Sequence, residues 1–247
     1  MIDWTIDINC DVGEGVGNET ELFPLISSCN IACGGHAGDS ITMTRIVQLA
    51  KKHNIKIGAH PSYPDRENFG RKVMDISKQE LQQCIDEQLK TFNAILKNEQ
   101  AEMHHIKAHG ALYNQTAKDK DLAETYLEVI HQYKNVTLLY VPYGSMIADV
   151  ALKQGFDIWY EAFGDRNYNR DLSLVNRKQK NALIEEPNKV LEHILPIIKE
   201  GNVMTVTGEL VKIEAETLCI HGDTPSALEI LMYLSNELFK HQVQLLK

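Results

Sequence analysis

The chain has 247 residues, of which 43% are hydrophobic and 24% are charged, as in an ordinary globular protein. This length suits one α/β barrel or at most two smaller domains, and we predict a single domain over residues 1–247. The formal net charge is −9 and no block of Lys and Arg occurs, which disfavours a nucleic-acid partner because such proteins need a concentrated basic surface.

Apolar runs typical of strands alternate with segments of helical periodicity. Strands separated by helices indicate βαβ units and a parallel sheet, so the predicted class is α/β. The predicted strands are 5–10, 28–33, 55–59, 104–108, 136–141, 157–162, 203–207 and a last one near 217–220. The predicted helices are 40–53, 77–97, 119–133, 145–154, 188–200 and 225–241. In the longest of these helices, apolar residues recur at spacings of three and four, namely Leu81, Ile85, Leu89, Phe92 and Leu96.

Three of the predicted helices begin with recognisable capping residues. Asp39 precedes the first of them and is expected to be its N-cap. Ser77 with Glu80 three residues later is typical of a capping box. Thr224 is the expected N-cap of the last helix, with Pro225 at its first helical position.

Two long polar loops and one hairpin interrupt the alternation. Loops 62–76 and 164–187 both follow predicted strands, and long loops in compact domains are usually either functional or disordered. We therefore expect both loops on the face that carries the carboxyl ends of the strands. The stretch 203–220 predicts an antiparallel hairpin that turns at Gly208 and Glu209 and closes the barrel.

The termini and the cysteines indicate a cytoplasmic location. No basic segment followed by an apolar core occurs at the N-terminus, and no apolar run approaches the ~18 residues of a membrane span. The five cysteines are odd in number and include no Cys-x-x-Cys pair. Reduced, mostly buried thiols fit this pattern best.

Five short apolar runs end in tight turns that carry His, Asp or Asn. Four of the ten histidines, His36, His60, His109 and His221, lie in such turns. In a parallel α/β sheet or barrel the carboxyl ends of the strands converge on one face, where active sites form. We therefore predict that these side chains line one pocket.

Asn9 and Asp11 are two residues apart in the first predicted strand, so their side chains point to one face and Cys10 to the other. Polar side chains inside a barrel are unfavourable unless they are hydrogen-bonded or bound to a ligand. We interpret the two residues as a base or a ligand-orienting pair. A polar turn that begins at Asp11 is the structural alternative.

The glycine-rich segment 13–17 lacks the features of a nucleotide-binding loop. The third glycine of a dinucleotide fingerprint would fall at Asn18, and no P-loop occurs anywhere in the chain. A flexible loop is the favoured interpretation, and Glu14 could reach the pocket from it.

The histidines that follow the second, third and fourth strands carry the chemical predictions. His36, His60 and His109 could act as general acids or bases, because unperturbed imidazole titrates near ~6.5. They could also bind a metal ion, since imidazole suits Zn²⁺ and related ions. Their spacing matches no compact metal motif, so the metal question stays open. Lys107 and Tyr113 lie beside His109 and are expected in the same pocket.

The second long loop begins with Asp165 and Arg166. A guanidinium binds a carboxylate through two parallel hydrogen bonds, so Arg166 is a candidate for binding a substrate carboxylate. A salt bridge within the loop is the structural alternative. His221 and Asp223 end the last predicted strand just before a helix and are further candidate binding residues.

Five blocks of the sequence are distinctive, namely NCDVGE (9–14), NIACGGHAGD (30–39), GAHPSYPD (58–65), HGALYN (109–114) and HGDTP (221–225). Together they resemble the LamB/YcsF family, the A subunits of 5-oxoprolinase, from Asp7 to about Ala227. Two departures from the family pattern occur. Gly164 stands where the family usually has Ala, and 179–185 lacks the usual Pro-Gly turn.

The resemblance implies a distorted (β/α) barrel of the polysaccharide-deacetylase and glycoside-hydrolase type. It also implies a part in the ATP-dependent hydrolysis of 5-oxo-L-proline to L-glutamate, together with two partner subunits, B and C. ATP would be a cosubstrate accompanied by Mg²⁺. Phosphorylation of the amide oxygen would then activate the lactam for attack by water.

The residues at the ends of the predicted strands are the candidates for catalysis and substrate binding in that reaction. Two alternatives stay open: a metal-dependent deacetylase or amidohydrolase that uses the same histidines and Asp11, and a non-catalytic scaffold subunit. The candidate catalytic residues are Asp11, His60 and His109. The candidate substrate-binding residues are Asn9, Glu14, His36, Lys107, Tyr113, Arg166, His221 and Asp223.

Overall fold

The computed structural model describes residues 3–247. Its strands are β1 (Trp4–Val12), β2 (Ser28–Ala32), β3 (Lys56–His60), β4 (His105–Ile106), β5 (Leu138–Pro142), β6 (Ile158–Phe163), β7 (Asn202–Met204), β8 (Leu210–Lys212), β9 (Thr217–Cys219) and β10 (Val243–Leu245). Its α-helices are α1 (Glu19–Leu22), α2 (Ser40–Lys52), α3 (Lys78–Asn98), α4 (Gly110–Thr116), α5 (Lys120–Ile130), α6 (Met146–Lys153), α7 (Pro187–Glu200) and α8 (Ala227–Glu237).

Seven of these strands form a closed parallel barrel in the order β1–β2–β3–β4–β5–β6–β9. Closure comes from β9, which pairs in parallel with both β6 and β1. The short strand β10 adds in parallel to the first residues of β1. The predicted α/β class and distorted (β/α) barrel are therefore confirmed within residues 3–247.

The hairpin predicted over 203–220 forms, but the prediction that it closes the barrel is wrong. Strands β7 and β8 pair antiparallel in a separate two-stranded sheet. Only Val203 is buried among their six residues, whereas all three residues of β9 are buried. A strand of a parallel barrel is covered on both faces, and among these three strands β9 alone is buried throughout.

Helix α3 shows how the helices cover the barrel. Its capping box forms as predicted, with Ser77 Oγ accepting from the Glu80 amide and the Glu80 carboxylate accepting from the Ser77 amide. All five apolar residues of its predicted stripe are buried. Burying each such side chain stabilises the fold by about 1.5–3 kcal/mol relative to exposure.

The other two caps have different outcomes. Asp39 accepts from the Thr42 amide at 2.7 Å, as predicted. The prediction for the last helix is wrong, because α8 begins at Ala227 and Ser226 precedes it. The hydroxyl of Thr224 instead donates to a buried carboxylate, described below.

Gly58 in β3 allows the barrel to close around a histidine of the neighbouring strand. A Cβ at this position would lie 2.1 Å from Nε2 of His105. His105 is fully buried and contacts the Asn30 amide oxygen at 2.6 Å. Any side chain at position 58 would push β3 and β4 apart.

Two further features bear on the setting of the protein. No helix within residues 3–247 is both long enough and apolar enough to cross a membrane. All five cysteines carry free thiols, and Cys84 is the one among them that is not buried.

Candidate active site at the barrel mouth

A lysine ammonium group lies between two carboxylates inside the carboxyl end of the barrel. Lys107 follows β4, and its Nζ is 3.0 Å from Asp11 Oδ1 and 2.8 Å from Glu161 Oε1. Asp11 lies near the end of β1 and Glu161 lies in β6, so three separate strands supply this triad. All three side chains are buried. The triad therefore holds one cation against two anions.

Two asparagines connect the triad to the rest of the barrel interior. Asn9 donates to Glu161 Oε1 at 2.9 Å and to Thr217 Oγ1 at 2.8 Å. Asn30 donates to Asp11 Oδ1 at 2.7 Å, because the β1–β2 register places the two residues side by side. The prediction that Asn9 and Asp11 share one face is confirmed, and that face is the barrel interior.

Charge pairing outweighs burial at two members of the triad. Burial alone raises the pKa of Asp11, but the neighbouring His60 and Lys107 lower it well below its ordinary value. Burial alone lowers the pKa of Lys107, but Asp11 and Glu161 raise it well above its ordinary value. Both groups are therefore ionised at neutral pH.

Three histidines and a glutamate form a second cluster at the mouth, directly above the triad. His109 Nδ1 is 3.0 Å from His60 Nε2, and His36 Nε2 is 2.7 Å from Glu14 Oε1. The rings of His36 and His109 are stacked, with centroids 3.6 Å apart. Oδ2 of Asp11 lies 3.5 Å from His60 Nε2 and joins the cluster to the triad. The structure thus brings together residues at or just after the carboxyl ends of β1, β2, β3 and β4.

Burial controls the protonation of this cluster. It lowers the pKa of His36 to about 2, with the neighbouring His60 adding to the effect. It also lowers the pKa of His109 well below its ordinary value, again with His36 and His60 adding. Burial and the charge of Asp11 raise the pKa of Glu14 to about 7. His36 and His109 are therefore neutral at physiological pH.

A third group surrounds the buried carboxylate of Asp165. His221 Nδ1 is 2.9 Å from Asp165 Oδ1, and both the His221 amide and the Thr224 hydroxyl donate to Oδ2. Burial alone raises the pKa of Asp165, but these contacts with His221 and Thr224 lower it below its ordinary value. The carboxylate is therefore ionised and holds the turn after β9 in place.

Two arginines from the long loops meet at Asp223. Arg71 of the first loop forms an ion pair with the Asp223 carboxylate, and Arg177 of the second loop lies 3.5 Å from it. Burial alone raises the pKa of Asp223, but the charges of Arg177 and Arg71 lower it. Both loops therefore reach the face that carries the histidines, as the sequence predicts.

The structure does not bring Arg166 into these clusters. Its Nε donates to the Ala182 carbonyl at 3.3 Å and its NH2 group donates to the Val175 carbonyl at 2.6 Å, so the guanidinium stabilises its own loop. This supports a structural role, although the partners are carbonyls rather than the carboxylate of a salt bridge. The turn before Ala182 forms without Pro-Gly, through a hydrogen bond from its amide to the Gln179 carbonyl.

Two buried polar atoms face the triad without a protein partner. Tyr113, on α4, has a buried hydroxyl with no hydrogen bond among the described residues, and so does Oε2 of Glu161. A buried polar group without a partner costs about 1–3 kcal/mol. Burial, with Glu161 nearby, raises the pKa of the Tyr113 phenol well above its ordinary value. The phenol therefore keeps its proton at neutral pH beside the Glu161 carboxylate.

Sequence reasoning missed Glu161, Asn30, Arg71 and Arg177. The first two have a signal that could have identified them, because each is a polar residue within a predicted buried strand. The arginines have none, because they lie in irregular loops whose position depends on the whole fold.

Two cavities of similar size lie at opposite ends of the barrel. One of about 520 Å³ opens at the mouth beside Glu14 and His36, and Arg45 and Arg66 also line it. The other, about 530 Å³, lies where the strands begin, at Lys56 among other residues. Glu14 and His36, and with them the histidine cluster, lie at the mouth, the end at which barrel enzymes carry their active sites.

Comparison with known proteins gives matches along almost the whole chain. A model of the LamB/YcsF family matches residues 6–247. A Pyrococcus furiosus protein, named as the A subunit of 5-oxoprolinase, is 37% identical over 246 residues, which cover 98% of this chain and 96% of that one. The crystal structure of a lactam utilization protein from Thermus thermophilus superposes with a TM-score of 0.90 at 34% identity and covers 98% of both chains.

A more distant structural match bears on the fold alone. A family 18 chitinase from Pseudoalteromonas aurantia superposes with a TM-score of 0.51 at 9% identity, over 94% of this chain and 100% of that one. It supports the glycoside-hydrolase type of barrel that the sequence resemblance implies.

Proposed function

Because the chain belongs to the LamB/YcsF family, we propose that it opens the lactam ring of 5-oxo-L-proline as one component of an ATP-dependent 5-oxoprolinase. The observation that carries the proposal is its end-to-end similarity to a 5-oxoprolinase component and to a lactam utilization protein. The polar barrel interior supports it, because a small cyclic amide needs several directed hydrogen bonds in a confined space.

The product of the reaction is L-glutamate, and ATP is converted to ADP and phosphate. A five-membered lactam is a resonance-stabilised amide with little ring strain, so it needs activation before water attacks. Phosphorylation of the amide oxygen makes the ring carbon electrophilic. Water then bonds to that carbon, the C–N bond breaks, and the ring nitrogen takes up a proton to become the amino group. A second water molecule hydrolyses the acyl phosphate that remains, which releases phosphate and leaves the carboxylate of L-glutamate.

The triad and the histidines beside it are positioned to handle water and protons. His60 donates from Nδ1 to the Lys107 carbonyl at 2.8 Å, which fixes the ring and leaves Nε2 facing the mouth. Asp11 lies 3.5 Å from that nitrogen and stays ionised beside Lys107. We propose that Asp11 acts as the base or orients it, with His60 and His109 as the other candidates.

The unpartnered atoms indicate how the lactam would be bound. The Tyr113 hydroxyl would donate to the ring carbonyl, and Glu161 Oε2 would accept from the ring N–H. Both contacts would satisfy groups that are buried without partners among the described residues. We propose Arg71 and Arg177, rather than Arg166, as the cations for the substrate carboxylate, because both lie at the mouth.

We propose that ATP and its Mg²⁺ bind only in the assembled complex. The chain contains no P-loop and no dinucleotide fingerprint. We therefore propose that ATP binds at an interface with two further subunits, B and C. The free thiols are consistent with assembly in the cytoplasm.

The test is ATP-dependent release of glutamate from 5-oxoproline, with and without the partner subunits. The complete complex should turn over, and the isolated chain should show little activity. Full turnover by the chain alone would show that the partners are dispensable. Unchanged turnover when this chain is left out would disprove the proposal.

The same preparation separates the two alternatives. ATP-independent hydrolysis of an acetylated sugar or amide, abolished by a chelator, would indicate a metal-dependent deacetylase or amidohydrolase. Titration calorimetry with 5-oxoproline should detect binding if the barrel holds the substrate, whereas a scaffold subunit should not bind it.

A further inference from the structure

The histidine cluster at the barrel mouth has two rings whose tautomers are set by backbone carbonyls. His60 Nδ1 contacts the Lys107 carbonyl at 2.8 Å, and His109 Nε2 contacts the Phe69 carbonyl at 2.9 Å. A carbonyl oxygen only accepts, so both of these nitrogens carry hydrogen. In the neutral rings, His60 Nε2 and His109 Nδ1 therefore bear lone pairs.

The third ring is fixed through a hydroxyl. His36 Nδ1 is 3.0 Å from Ser62 Oγ, and that hydroxyl donates its proton to the Tyr63 carbonyl at 2.9 Å. The Ser62 oxygen must therefore accept from His36 Nδ1, which leaves the lone pair on Nε2. Each of the three rings is thus tied by one nitrogen and has its other nitrogen free to bind.

The three free nitrogens and a carboxylate oxygen converge on one point. His36 Nε2 lies 2.7 Å from Glu14 Oε1, His109 Nδ1 lies 3.5 Å from that oxygen, and His109 Nδ1 lies 3.0 Å from His60 Nε2. All four atoms are within 4.8 Å of one another. Ligands of a tetrahedral Zn²⁺ are about 3.3 Å apart, and the three short separations bracket that value.

We propose that Glu14, His36, His60 and His109 bind one divalent transition-metal ion, with Zn²⁺ as the best match. Without an ion, the 2.7 Å contact between His36 and Glu14 and the 3.0 Å contact between His60 and His109 each require a proton between the two atoms, whereas one metal ion replaces both protons and binds all four atoms. Three imidazoles and one carboxylate suit Zn²⁺ and its first-row neighbours, whereas Mg²⁺ prefers oxygen ligands. A histidine that binds a metal through one ring nitrogen usually donates a hydrogen bond from the other nitrogen to an oxygen, which fixes the orientation of the ring. All three histidines here have such a hydrogen bond.

The surroundings also favour an ion at this position. The three histidines are at most 5% exposed, and the Glu14 side chain is 5% exposed. Phe69 packs edge-on against His36 and His109, and its backbone is held at φ 56° while its carbonyl accepts from His109. Such strain in a residue other than glycine is concentrated at functional sites.

A second group with ligand spacing, Asp11, Cys219 and His221, does not fit a metal ion equally well. Lys107 Nζ lies 3.0 Å from Asp11 and 3.3 Å from the Cys219 sulfur, and so already supplies a cation there. Its ammonium group would repel a metal ion. The proposal therefore places one ion, above the lysine.

Binding of the ion does not depend on the proposed 5-oxoprolinase activity, but a catalytic role for it would. Asp11 Oδ2 is 3.5 Å from His60 Nε2, so the ion would border the proposed lactam site. An ion so placed polarises a carbonyl oxygen or lowers the pKa of a bound water molecule.

The test measures the metal directly, without substrate, ATP or partner subunits. The full-length chain is stripped with a chelator, dialysed against micromolar Zn²⁺, and analysed for metal by mass spectrometry. Co²⁺ is then used as a spectroscopic probe, since a four- or five-coordinate site absorbs visible light much more strongly than hydrated Co²⁺. We expect one ion per chain and the strong Co²⁺ spectrum.

Matched substitutions locate the ion. His36→Gln, His109→Gln and Glu14→Gln should each weaken Zn²⁺ binding at least roughly tenfold, because even the outer partners of histidine ligands contribute that much. His131→Gln, at an exposed position, is the control and should bind normally. Circular dichroism melting confirms that each variant is folded.

Two results would overturn the proposal. The first is that the wild-type chain retains no Zn²⁺ after dialysis, or that it gives only the weak absorption spectrum of hydrated Co²⁺. This result is obtained without any variant. The other is equal Zn²⁺ binding by the folded variants and the control. A failed 5-oxoprolinase assay would leave the metal result unaffected, so the two proposals can fail separately.

Discussion

Replacing Lys107 with Met should be among the most destabilising single substitutions in the barrel. The ammonium group lies 3.0 Å from Asp11 and 2.8 Å from Glu161, and all three side chains are buried. At an effective dielectric constant near 20, each of these contacts contributes roughly 5–6 kcal/mol of Coulomb attraction. Methionine has a similar shape, so Lys107→Met removes the charge while it largely preserves the packing.

The net effect should be smaller than the sum of the two attractions, because desolvation of the lysine is also removed and the interior relaxes. Deleting one partner of a buried ion pair typically costs about 3–5 kcal/mol. For a chain of this length that corresponds to a fall in melting temperature of about 6–20 °C. Thermal and urea unfolding of the isolated chain measure it.

The control is Lys78→Met, which breaks an ion pair of similar length on the surface. Lys78 lies 2.9 Å from Glu128, and both side chains are about half exposed. The expected loss is at most ~1 kcal/mol. The double variant Lys107→Met/Glu161→Gln should be more stable than Lys107→Met, because one uncompensated carboxylate is gone. A loss for Lys107→Met no larger than that of the surface control would refute the reasoning.

Three other substitutions test separate parts of the structure. Asp11→Asn in the reconstituted complex should lower kcat per folded complex by ~10²-fold or more, and it should also lower the melting temperature because the buried ion pair with Lys107 is lost. Normal kcat per folded complex would remove Asp11 from the catalytic candidates. Gly58→Ala should prevent stable folding, because the new Cβ would lie 2.1 Å from the His105 ring, while Gly144→Ala, with no atom within 4 Å of its Cβ but φ at 67°, should cost only about 1 kcal/mol. Asp165→Asn should lower the free energy of unfolding at pH 7 by about 1.5–3 kcal/mol. Because the pKa of Asp165 is lowered on folding, its contribution is complete above the unfolded pKa and is lost as pH falls through the folded pKa. The difference between wild type and Asp165→Asn should therefore shrink in acid, and a constant difference down to about pH 3 would contradict that pKa direction.

The sequence by itself determined the features that depend on neighbouring residues. The apolar stripe of α3, the capping box at Ser77 and the cap at Asp39 all form as predicted. Each of these arises from side chains three or four positions apart, whose relative geometry the helix sets by itself. Alternation along β1 likewise placed Asn9 and Asp11 inside the barrel.

The convergence of His36, His60 and His109 was also predictable, because each follows a strand of one parallel sheet. Strand order alone predicts that the three histidines lie on one face of the barrel, but it does not predict which of them are in contact. The 3.0 Å separation of His60 and His109 and the stacking of His36 on His109 depend on loops that the sequence does not place.

Tertiary structure alone decided how the barrel closes and which charges meet inside it. The hairpin predicted to close the barrel lies apart, because β9 is the short segment buried on both faces. Lys107 meets Glu161 across 54 residues, and Arg71 meets Asp223 across 152. Such contacts depend on strand register and loop path, which arise only when the whole chain packs, and local periodicity carries no information about them.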